Sequence, residues 1–269
     1  MLKELTLEGE IDKVKIACNR LRLHEPPEGY YVAFSGGKDS CVVLDLCKRA
    51  GVKYDVHYNV TTVDPPELVQ FIKREYPEAW EGRNKPEMSM WQLIVKERIP
   101  PTRLARYCCK YLKERGGVGR LVVTGVRHQE SSRRAKRKMM EQCTVHKSKQ
   151  YIHPIIDWSE AEVWEYIKTY HVPYCKLYDE GKRRIGCILC PYTRKAQKVI
   201  DMERWPRYVK LYEMAFQRMI DKRKEDGLKC DTWKTGKDVM KWWIGENHSH
   251  KADDRQIPLF GMMADETDF

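Results

Sequence analysis

The stretch that decides the fold is Tyr30-Tyr31-Val32-Ala33-Phe34, followed directly by Ser35-Gly36-Gly37-Lys38-Asp39-Ser40. An apolar run that ends in two glycines, with a helical pattern after it, predicts a strand, a tight loop and a helix. Glycines let the backbone pass close to an anion, and the N–H groups that open a helix point towards it. The loop therefore predicts a phosphate site, in which Lys38 adds a positive charge and Ser35 and Ser40 add hydroxyls. A glycine-rich turn that binds nothing is the alternative.

The composition is that of a basic protein that is long enough to bury a core. The 269 residues suit one α/β domain with an appendage, and 50 Lys and Arg against 39 Asp and Glu give a net charge of +11. This charge favours phosphate-rich partners such as nucleotides or nucleic acid, although it also serves solubility. We expect a cytoplasmic protein without a membrane partner, because no apolar run reaches the ~18–20 residues of a span and Met1–Leu5 lacks a signal-peptide core.

Strand patterns alternate with helical patterns over most of the chain. Beyond the first strand we predict helices over 10–23, 40–48, 65–76 and 159–170, and strands over 54–60, 121–126 and 152–156. This alternation predicts an α/β fold with a doubly wound, mainly parallel sheet and helices on both faces, whose ligands bind beyond the carboxyl ends of the strands. Asp157-Trp158 is expected to cap the helix that follows it.

The pattern becomes wholly helical from about Asp201 onwards. Trp205, Tyr208, Tyr212 and Met219 lie at helical spacing, and Val239–Ile244 is a second apolar stretch. We therefore predict a nucleotide-binding α/β domain over 1–198 and a helical C-terminal extension over 199–269.

The ten cysteines favour reduced thiols, metal binding or redox chemistry over a disulfide framework. Cys108 and Cys109 are adjacent, and Cys187 and Cys190 form a CxxC. Four thiolates from two pairs can enclose a zinc ion or a 4Fe–4S cluster, and neighbouring side chains that splay apart suit the bulkier cluster. The alternative is that Cys108 and Cys109 are ordinary small apolar residues.

The remaining cysteines have no metal-ligand spacing. Cys41 and Cys47 lie on the predicted helix after the loop and are expected in the core. Cys143, Cys175 and Cys230 are the thiols to consider if a sulfur acceptor or nucleophile is required.

Several motifs in register resemble the phosphoadenosine phosphosulfate (PAPS) reductase and adenosine 5′-phosphosulfate (APS) reductase family, within the adenine nucleotide alpha-hydrolase superfamily. The loop is similar to the SGGxDS loop of ATP-pyrophosphatases, and the cysteine pair with a distant CxxC is similar to that of the APS reductases. The resemblance covers about residues 28–195 and continues in the segments 61–67, 124–133, 154–158 and 177–181. It implies an adenine nucleotide (ATP, APS or PAPS) at the loop and a 4Fe–4S cluster held by Cys108, Cys109, Cys187 and Cys190.

The predicted site residues follow from these motifs. Lys38 and Asp39 are the expected catalytic residues. The expected nucleotide-binding residues are Ser35, Gly36, Gly37, Lys38, Asp39, Ser40, Asp64, Arg127 and Arg133. Arg127 and Arg133 offer fork-shaped donors to phosphate or sulfate oxygens.

Two of these assignments leave alternatives open. Asp64 suits a ribose hydroxyl or Mg²⁺, but it is also an ordinary acid at the start of a helix. The basic run Arg133–Lys138 is either a solvated face or a contact to a polyphosphate backbone.

Three functions are compatible with this sequence. The first is ATP-pyrophosphatase-type adenylation for sulfur transfer to DNA, tRNA or a small molecule, with a sulfur donor such as a cysteine desulfurase. It is favoured because sulfonucleotide reductases carry a C-terminal Glu-Cys-Gly-Leu-His motif, whereas the last cysteine here is Cys230. The second is reduction of APS or PAPS to sulfite, and the third is a nucleotide-binding subunit without turnover.

Overall fold

The fold is organised around the predicted strand Tyr30–Phe34, which is the second of five strands in a central sheet. This computed structural model describes residues 1–6, 9–143, 148–229 and 232–245. Its strands and helices, in chain order, are β1 Lys3–Thr6, β2 Gly9–Asp12, α1 Lys13–Leu23, β3 Tyr30–Phe34, α2 Lys38–Ala50, β4 Tyr54–Tyr58, α3 Pro66–Glu75, α4 Pro77–Glu81, α5 Met90–Glu97, α6 Tyr107–Leu112, β5 Leu121–Val123, β6 Met140–Gln142, β7 Gln150–Ile152, α7 Glu160–Thr169, α8 Lys195–Arg204, α9 Pro206–Glu225 and α10 Gly236–Ile244.

The central sheet is mainly parallel, as the alternation of patterns predicted. Its strand order is β4-β3-β5-β7-β6, in which only β6 runs antiparallel to its neighbour, and β1 and β2 form a separate hairpin. Because β3, β4 and β5 are adjacent and parallel, the segments that follow them emerge side by side at one edge. These segments contain most of the predicted site residues.

The two faces of the sheet are covered very differently. Val32, Val123 and Ile152 belong to the main core, which also includes the buried sides of α1, α2 and α7. The opposite face holds a small cluster made of Tyr31, Val122, Cys143 and Tyr151. Ala33 packs against this cluster and is only half-buried, although it lies in an interior strand. The second face therefore leaves open space near the carboxyl ends of the strands.

Local capping moves two helix starts away from their predicted positions. The helix expected from residue 10 begins at Lys13, because Asp12 accepts a hydrogen bond from Lys15 N over 2.9 Å and the preceding residues form β2. The helix α7 is capped by Ser159, whose Oγ accepts from Glu162 N over 3.2 Å. The predicted cap Asp157 instead accepts from Arg20 over 2.7 Å.

Three predicted strands are shorter than expected. β4 ends at Tyr58 and not at residue 60. β5 ends at Val123, and the segment 124–127 leaves the sheet. β7 ends at Ile152, and residues 154–157 form a turn with Ile155 and Ile156 buried. Apolar composition alone does not distinguish a buried turn from a strand.

The C-terminal helices pack firmly on the rest of the chain. Trp91 on α5 meets Tyr212 on α9 edge to face, with ring centroids 4.9 Å apart. Trp243 on α10 donates from its indole nitrogen to Pro101 O over 2.6 Å. The predicted boundary at 198/199 falls within α8, and the division into two domains stays a prediction.

Part of the predicted extension, including residues 246–269, lies outside the described residues. None of the helices in the described ranges is both long and apolar enough to cross a membrane.

Candidate functional site

The phosphate loop predicted from the sequence forms the connection between β3 and α2. Gly36 has φ +71°, and a side chain there would come within 2.7 Å of Leu68 on α3, so glycine is required for both reasons. Ser40 Oγ donates to Gly37 O over 2.8 Å and lies 3.2 Å from Ser35 Oγ. Gly37, at the N-cap of α2, has no side chain to cap the helix, and the Lys38 N–H donates to the Tyr178 hydroxyl. The N–H groups of Asp39 and Ser40, in the same first turn, are the ones placed to meet an anion.

Lys38 is buried at the start of α2 and is surrounded by oxygen atoms. Only 4% of the residue is exposed, and its ammonium lies 3.5 Å from Asp39 Oδ2 and 3.5 Å from Glu160 Oε1. It also donates to Arg183 O over 3.4 Å, while its backbone N–H donates to the Tyr178 hydroxyl over 2.9 Å. A buried lysine held by two carboxylates has a charge that an incoming phosphate could share.

Arg127 is buried against the start of α2. Its Nε donates to Asp39 Oδ1 over 2.7 Å, and its Nη1 donates to Trp158 O over 3.3 Å. The structure therefore brings the segment after β5 against the loop after β3, as predicted. In this arrangement the guanidinium of Arg127 positions Asp39, and its contact with a phosphate stays a prediction.

Two side chains of the basic run Arg133–Lys138 form ion pairs: Arg134 with Glu130, and Arg137 with Glu141. Arg133, Lys136 and Lys138 are exposed to solvent. Both alternatives from the sequence, a solvated face and a contact to a polyphosphate backbone, stay open, and a role for Arg133 in nucleotide binding stays a prediction.

The four predicted ligand cysteines come from two distant segments that meet in the fold. Cys108 and Cys109 lie on α6, and Cys187 and Cys190 lie in a turn in which Cys190 N donates to Cys187 O over 3.3 Å. A hydrogen bond between the Cys108 and Cys109 thiols raises the pKa of Cys108 and lowers that of Cys109. The charges of Cys187 and Cys190 raise the pKa of Cys108 further. The four thiols are thus close enough to affect one another's ionisation.

Positively charged side chains lie beside these thiols. The pKa of Lys113 is raised, first by the charge of Cys187 and then, against burial, by Cys190 and Asp64. Lys113 is exposed to solvent as a residue. Sequence reasoning missed Lys113, although its position one helical turn after Cys109 was a usable signal.

Asp64 and Thr61 connect the thiols to the sheet edge. Asp64 is buried and accepts from Thr61 N over 2.8 Å, and the Thr61 hydroxyl lies 3.5 Å from Cys187 Sγ. Ile188 N, within the CxxC, donates to Val63 O over 2.8 Å. The segment after β4 thus places the second cysteine pair, and Asp64 keeps its open assignment as a ligand of ribose or Mg²⁺.

The fit of a metal group to these cysteines depends on its size. Within the described ranges, no three His, Cys, Asp or Glu side chains stand together closely enough to hold a single metal ion. Four interacting thiols with adjacent cations still form a donor set of the kind that a 4Fe–4S cluster uses, and such a cluster needs widely spaced sulfurs. The four thiols therefore supply the type of donor that a 4Fe–4S cluster uses, and the cluster itself stays a prediction.

The other described cysteines are buried. Cys41 and Cys47 have no exposed surface, and burial raises the pKa of each thiol to about 12, as expected for core residues. Cys175 is also fully buried, and burial raises its pKa. These thiols resist becoming the thiolates that nucleophilic chemistry requires. Cys143 is 8% exposed, and Cys230 lies outside the described residues.

Comparison with known proteins agrees with this architecture. The phosphoadenosine phosphosulfate reductase domain matches residues 29–193, which is more than half of the chain. The chain belongs to this family. The match spans the loop, all four predicted ligand cysteines and both arginines, so family membership and the site geometry concern the same part of the protein.

Proteins with different names and activities are similar to the chain. The Methanocaldococcus jannaschii protein MJ0066 is 31% identical over 221 residues, covering 76% of this chain and 45% of the relative. The adenosine 5′-phosphosulfate reductase of Oceanobacillus iheyensis is 28% identical, covering 59% of this chain and 69% of that protein. A probable FAD synthase of Schizosaccharomyces pombe is 26% identical, covering 68% of both. The chain spans about half the length of the two M. jannaschii relatives that it matches.

Proposed function

We propose that the protein binds ATP at the loop Ser35–Ser40 and transfers its adenylyl group to an acceptor, releasing pyrophosphate, as the activating step of sulfur transfer. The observation that carries this proposal is the buried Lys38 in the first turn of α2. A helix N-terminus that begins at a glycine and a buried ammonium together favour a bound polyphosphate.

The residues of the loop have distinct tasks in this reaction. The N–H groups of Asp39 and Ser40 and the hydroxyls of Ser35 and Ser40 orient the phosphates. Lys38 stabilises the negative charge that grows on the leaving pyrophosphate, because a fixed positive charge is most effective where water is excluded. Asp39, fixed by Arg127, keeps Lys38 oriented until the phosphates arrive.

We propose that Cys108, Cys109, Cys187 and Cys190 hold a 4Fe–4S cluster beside this nucleotide. When bound, such a cluster supplies redox chemistry and a site at which sulfur can be carried. Lys113 and Arg106 offset the negative charge of the thiolates, because the pKa of Lys113 is raised by these thiols and Arg106 hydrogen-bonds Cys109. The hydroxyl of Thr61, in the segment after β4, lies 3.5 Å from Cys187 Sγ.

The acceptor that we propose is a nucleic acid or a small molecule with a nucleophilic oxygen. The exposed cations Arg133, Lys136 and Lys138 favour a DNA or tRNA backbone. A sulfur donor such as a cysteine desulfurase would complete the reaction. The similarity to a probable FAD synthase supports adenylyl transfer as chemistry available to this family.

Product analysis on anaerobically purified protein tests the proposal. ATP is offered with and without mixed DNA and tRNA, with sulfide present as the sulfur donor that displaces AMP from the adenylylated acceptor, and AMP and pyrophosphate are measured. We expect both products to increase with the acceptor, and to be lost in Lys38→Ala but kept in Lys48→Ala, which changes an exposed lysine on the same helix. Equal product from wild type and Lys38→Ala would contradict the assignment.

Reduction of APS or PAPS is the second candidate, and the paired thiols with the similarity to APS reductases favour it. The same protein is offered each sulfonucleotide with a thiol donor, and sulfite is measured. Sulfite without AMP formation from ATP would replace the first proposal by the second. Nucleotide binding without any product would indicate a binding subunit.

A further inference from the structure

Three side chains form a chain of hydrogen bonds on the second face of the sheet, the face that holds Tyr31, Val122 and Tyr151. The proposed function does not use these three side chains. Thr124 Oγ1 lies 2.7 Å from His153 Nδ1, and His153 Nε2 lies 2.8 Å from Glu141 Oε1. Each residue comes from a different segment: Thr124 follows β5, His153 follows β7, and Glu141 lies on the antiparallel strand β6. Such a chain has a direction, because each hydrogen bond needs one donor and one acceptor.

The direction is fixed from the Glu141 end. Glu141 forms an ion pair with Arg137, so it is a carboxylate and can only accept. His153 must therefore carry its proton on Nε2 and donate to Glu141. His153 is fully buried, and burial lowers its pKa; Glu141 opposes this shift, while Arg137 and Arg134 add to it. In the neutral ring Nδ1 has no proton, so it accepts a hydrogen bond from the Thr124 hydroxyl.

As a result, Thr124 has no hydrogen left for a ligand. Its proton is committed to His153, so its oxygen offers only lone pairs to the surrounding space. A threonine that is not fixed in this way would rotate and serve either donors or acceptors. Thr124 is thus selective for a group that brings its own hydrogen.

The position of Thr124 places this oxygen at the proposed site. Val32 pairs with Val123, so Thr124 lies opposite Ala33 on the second face of the sheet. Both residues are half-buried. The next residue, Gly125, lies so close to the phosphate loop that a Cβ would come 2.9 Å from Asp39 Cβ. The hydroxyl therefore stands beside the phosphate end of the proposed nucleotide.

We propose that Thr124 positions the acceptor by accepting a hydrogen bond from the O–H of its nucleophilic oxygen or from an N–H beside that oxygen. This proposal rests on the proposed adenylyl transfer. Phosphate oxygens, which are acceptors only, are repelled from Thr124 and remain with Lys38 and the loop. The site therefore has two ends. One end binds phosphate oxygens, which only accept hydrogen bonds, and the other binds a nucleophile that brings a hydrogen-bond donor.

Nitrogen NMR on uniformly ¹⁵N-labelled protein tests the direction of the chain without any turnover. The His153 signals are assigned by their loss in His153→Gln. At pH 7.5 we expect a neutral ring that carries its proton on Nε2, with the Nδ1 shift altered in Thr124→Val. A proton on Nδ1, or a doubly protonated ring, would overturn the proposal.

Kinetics on Thr124 variants test its role. We expect Thr124→Val to lower kcat for AMP formation about tenfold, the effect of one lost hydrogen bond, with ATP affinity changed less than about twofold. Thr124→Ser should restore most of the rate, and Thr169→Val, on the exposed end of α7, should have no effect. Full activity of Thr124→Val overturns this proposal alone, whereas absence of AMP formation in wild type overturns it together with the proposed function.

Discussion

Arg127 Nε donates to Asp39 Oδ1 over 2.7 Å, and this bond joins the segment after β5 to the first turn of α2. The two residues are 88 positions apart, and both belong to the predicted nucleotide site. Because Arg127 is buried, its charge depends on Asp39 for compensation. The site is therefore held in shape from within before any ligand binds.

Removal of the Asp39 carboxylate should destabilise the fold. We expect Asp39→Ala to lower the free energy of unfolding by about 2 kcal/mol, since it leaves the buried Arg127 without its charged partner. Asp39→Asn should cost less, because its amide oxygen can still accept. Urea unfolding measures both, with Asp221→Ala on the exposed side of α9 as a control of less than about 0.5 kcal/mol. Equal stability of Asp39→Ala and wild type would show that the bond contributes nothing.

Lys38 should contribute directly to nucleotide affinity. We expect Lys38→Ala to weaken ATP binding by about 10- to 100-fold, the range for a lost charged hydrogen bond. Isothermal titration calorimetry on anaerobic protein measures this, and Lys48→Ala should bind as wild type does. If the two variants bind ATP equally well, Lys38 is a structural lysine, neutralised by Asp39 and Glu160.

Iron content should depend on the four paired cysteines and not on the others. We expect Cys187→Ser to lose most of its iron, labile sulfide and brown colour after anaerobic reconstitution. Cys18→Ser, which changes a buried thiol on α1, should keep them. An iron-replete Cys187→Ser protein would remove Cys187 from the ligand set. The Lys38→Ala protein should retain the colour, because its substitution lies at the loop.

Stability should fall in acid through Glu162. Burial would raise its pKa, but hydrogen bonds from Lys13 and Ser159 outweigh burial and lower it to about 2. A carboxyl with a depressed folded-state pKa stabilises the fold above its unfolded value and loses that contribution as pH falls towards the folded value. We expect up to about 3 kcal/mol to be lost between pH 5 and pH 2. Glu162→Gln should flatten this part of the profile in urea unfolding, whereas Glu203→Gln, at an exposed site, should not.

The C-terminal helices should unfold together with the sheet. Trp243 is buried against Tyr212 and Phe216, with ring centroids 4.8 and 5.4 Å away. We expect Trp243→Ala to cost about 3–5 kcal/mol and to shift a single transition seen by circular dichroism and by fluorescence. Trp242→Ala, at a half-buried position, should cost less. Two separate transitions would favour the two-domain division predicted at 198/199.

Features that depend on residues close together in the sequence were predictable from it. The loop, β3, α2 and α3 follow from local apolar patterns, glycines and prolines, and the structure confirms them within a few residues. The mainly parallel sheet followed from the alternation of these elements. The family resemblance was confirmed by the match over residues 29–193.

Contacts between distant segments were not predictable in the same way. Glu160 beside Lys38, and Lys113 beside the CxxC, depend on how helices and loops cross the sheet edge. The strand β6 was missed because Met140-Glu141-Gln142 has no apolar alternation and is stabilised by its pairing with β7. Glu141 and His153 could be connected only once this pairing was known.

The hydroxyls of α9 reach back into the segments that carry the site. Tyr208 donates to Asp64 O over 3.2 Å, and Tyr212 donates to Ile188 O over 3.3 Å. Both tyrosines lie beyond residue 193, where the family match ends. Exchange of residues 29–193 between relatives would therefore separate the cysteine turn from the helix that supports it. A chimeric protein that receives residues 29–193 should therefore also receive α9, so that the contacts of Tyr208 and Tyr212 are kept.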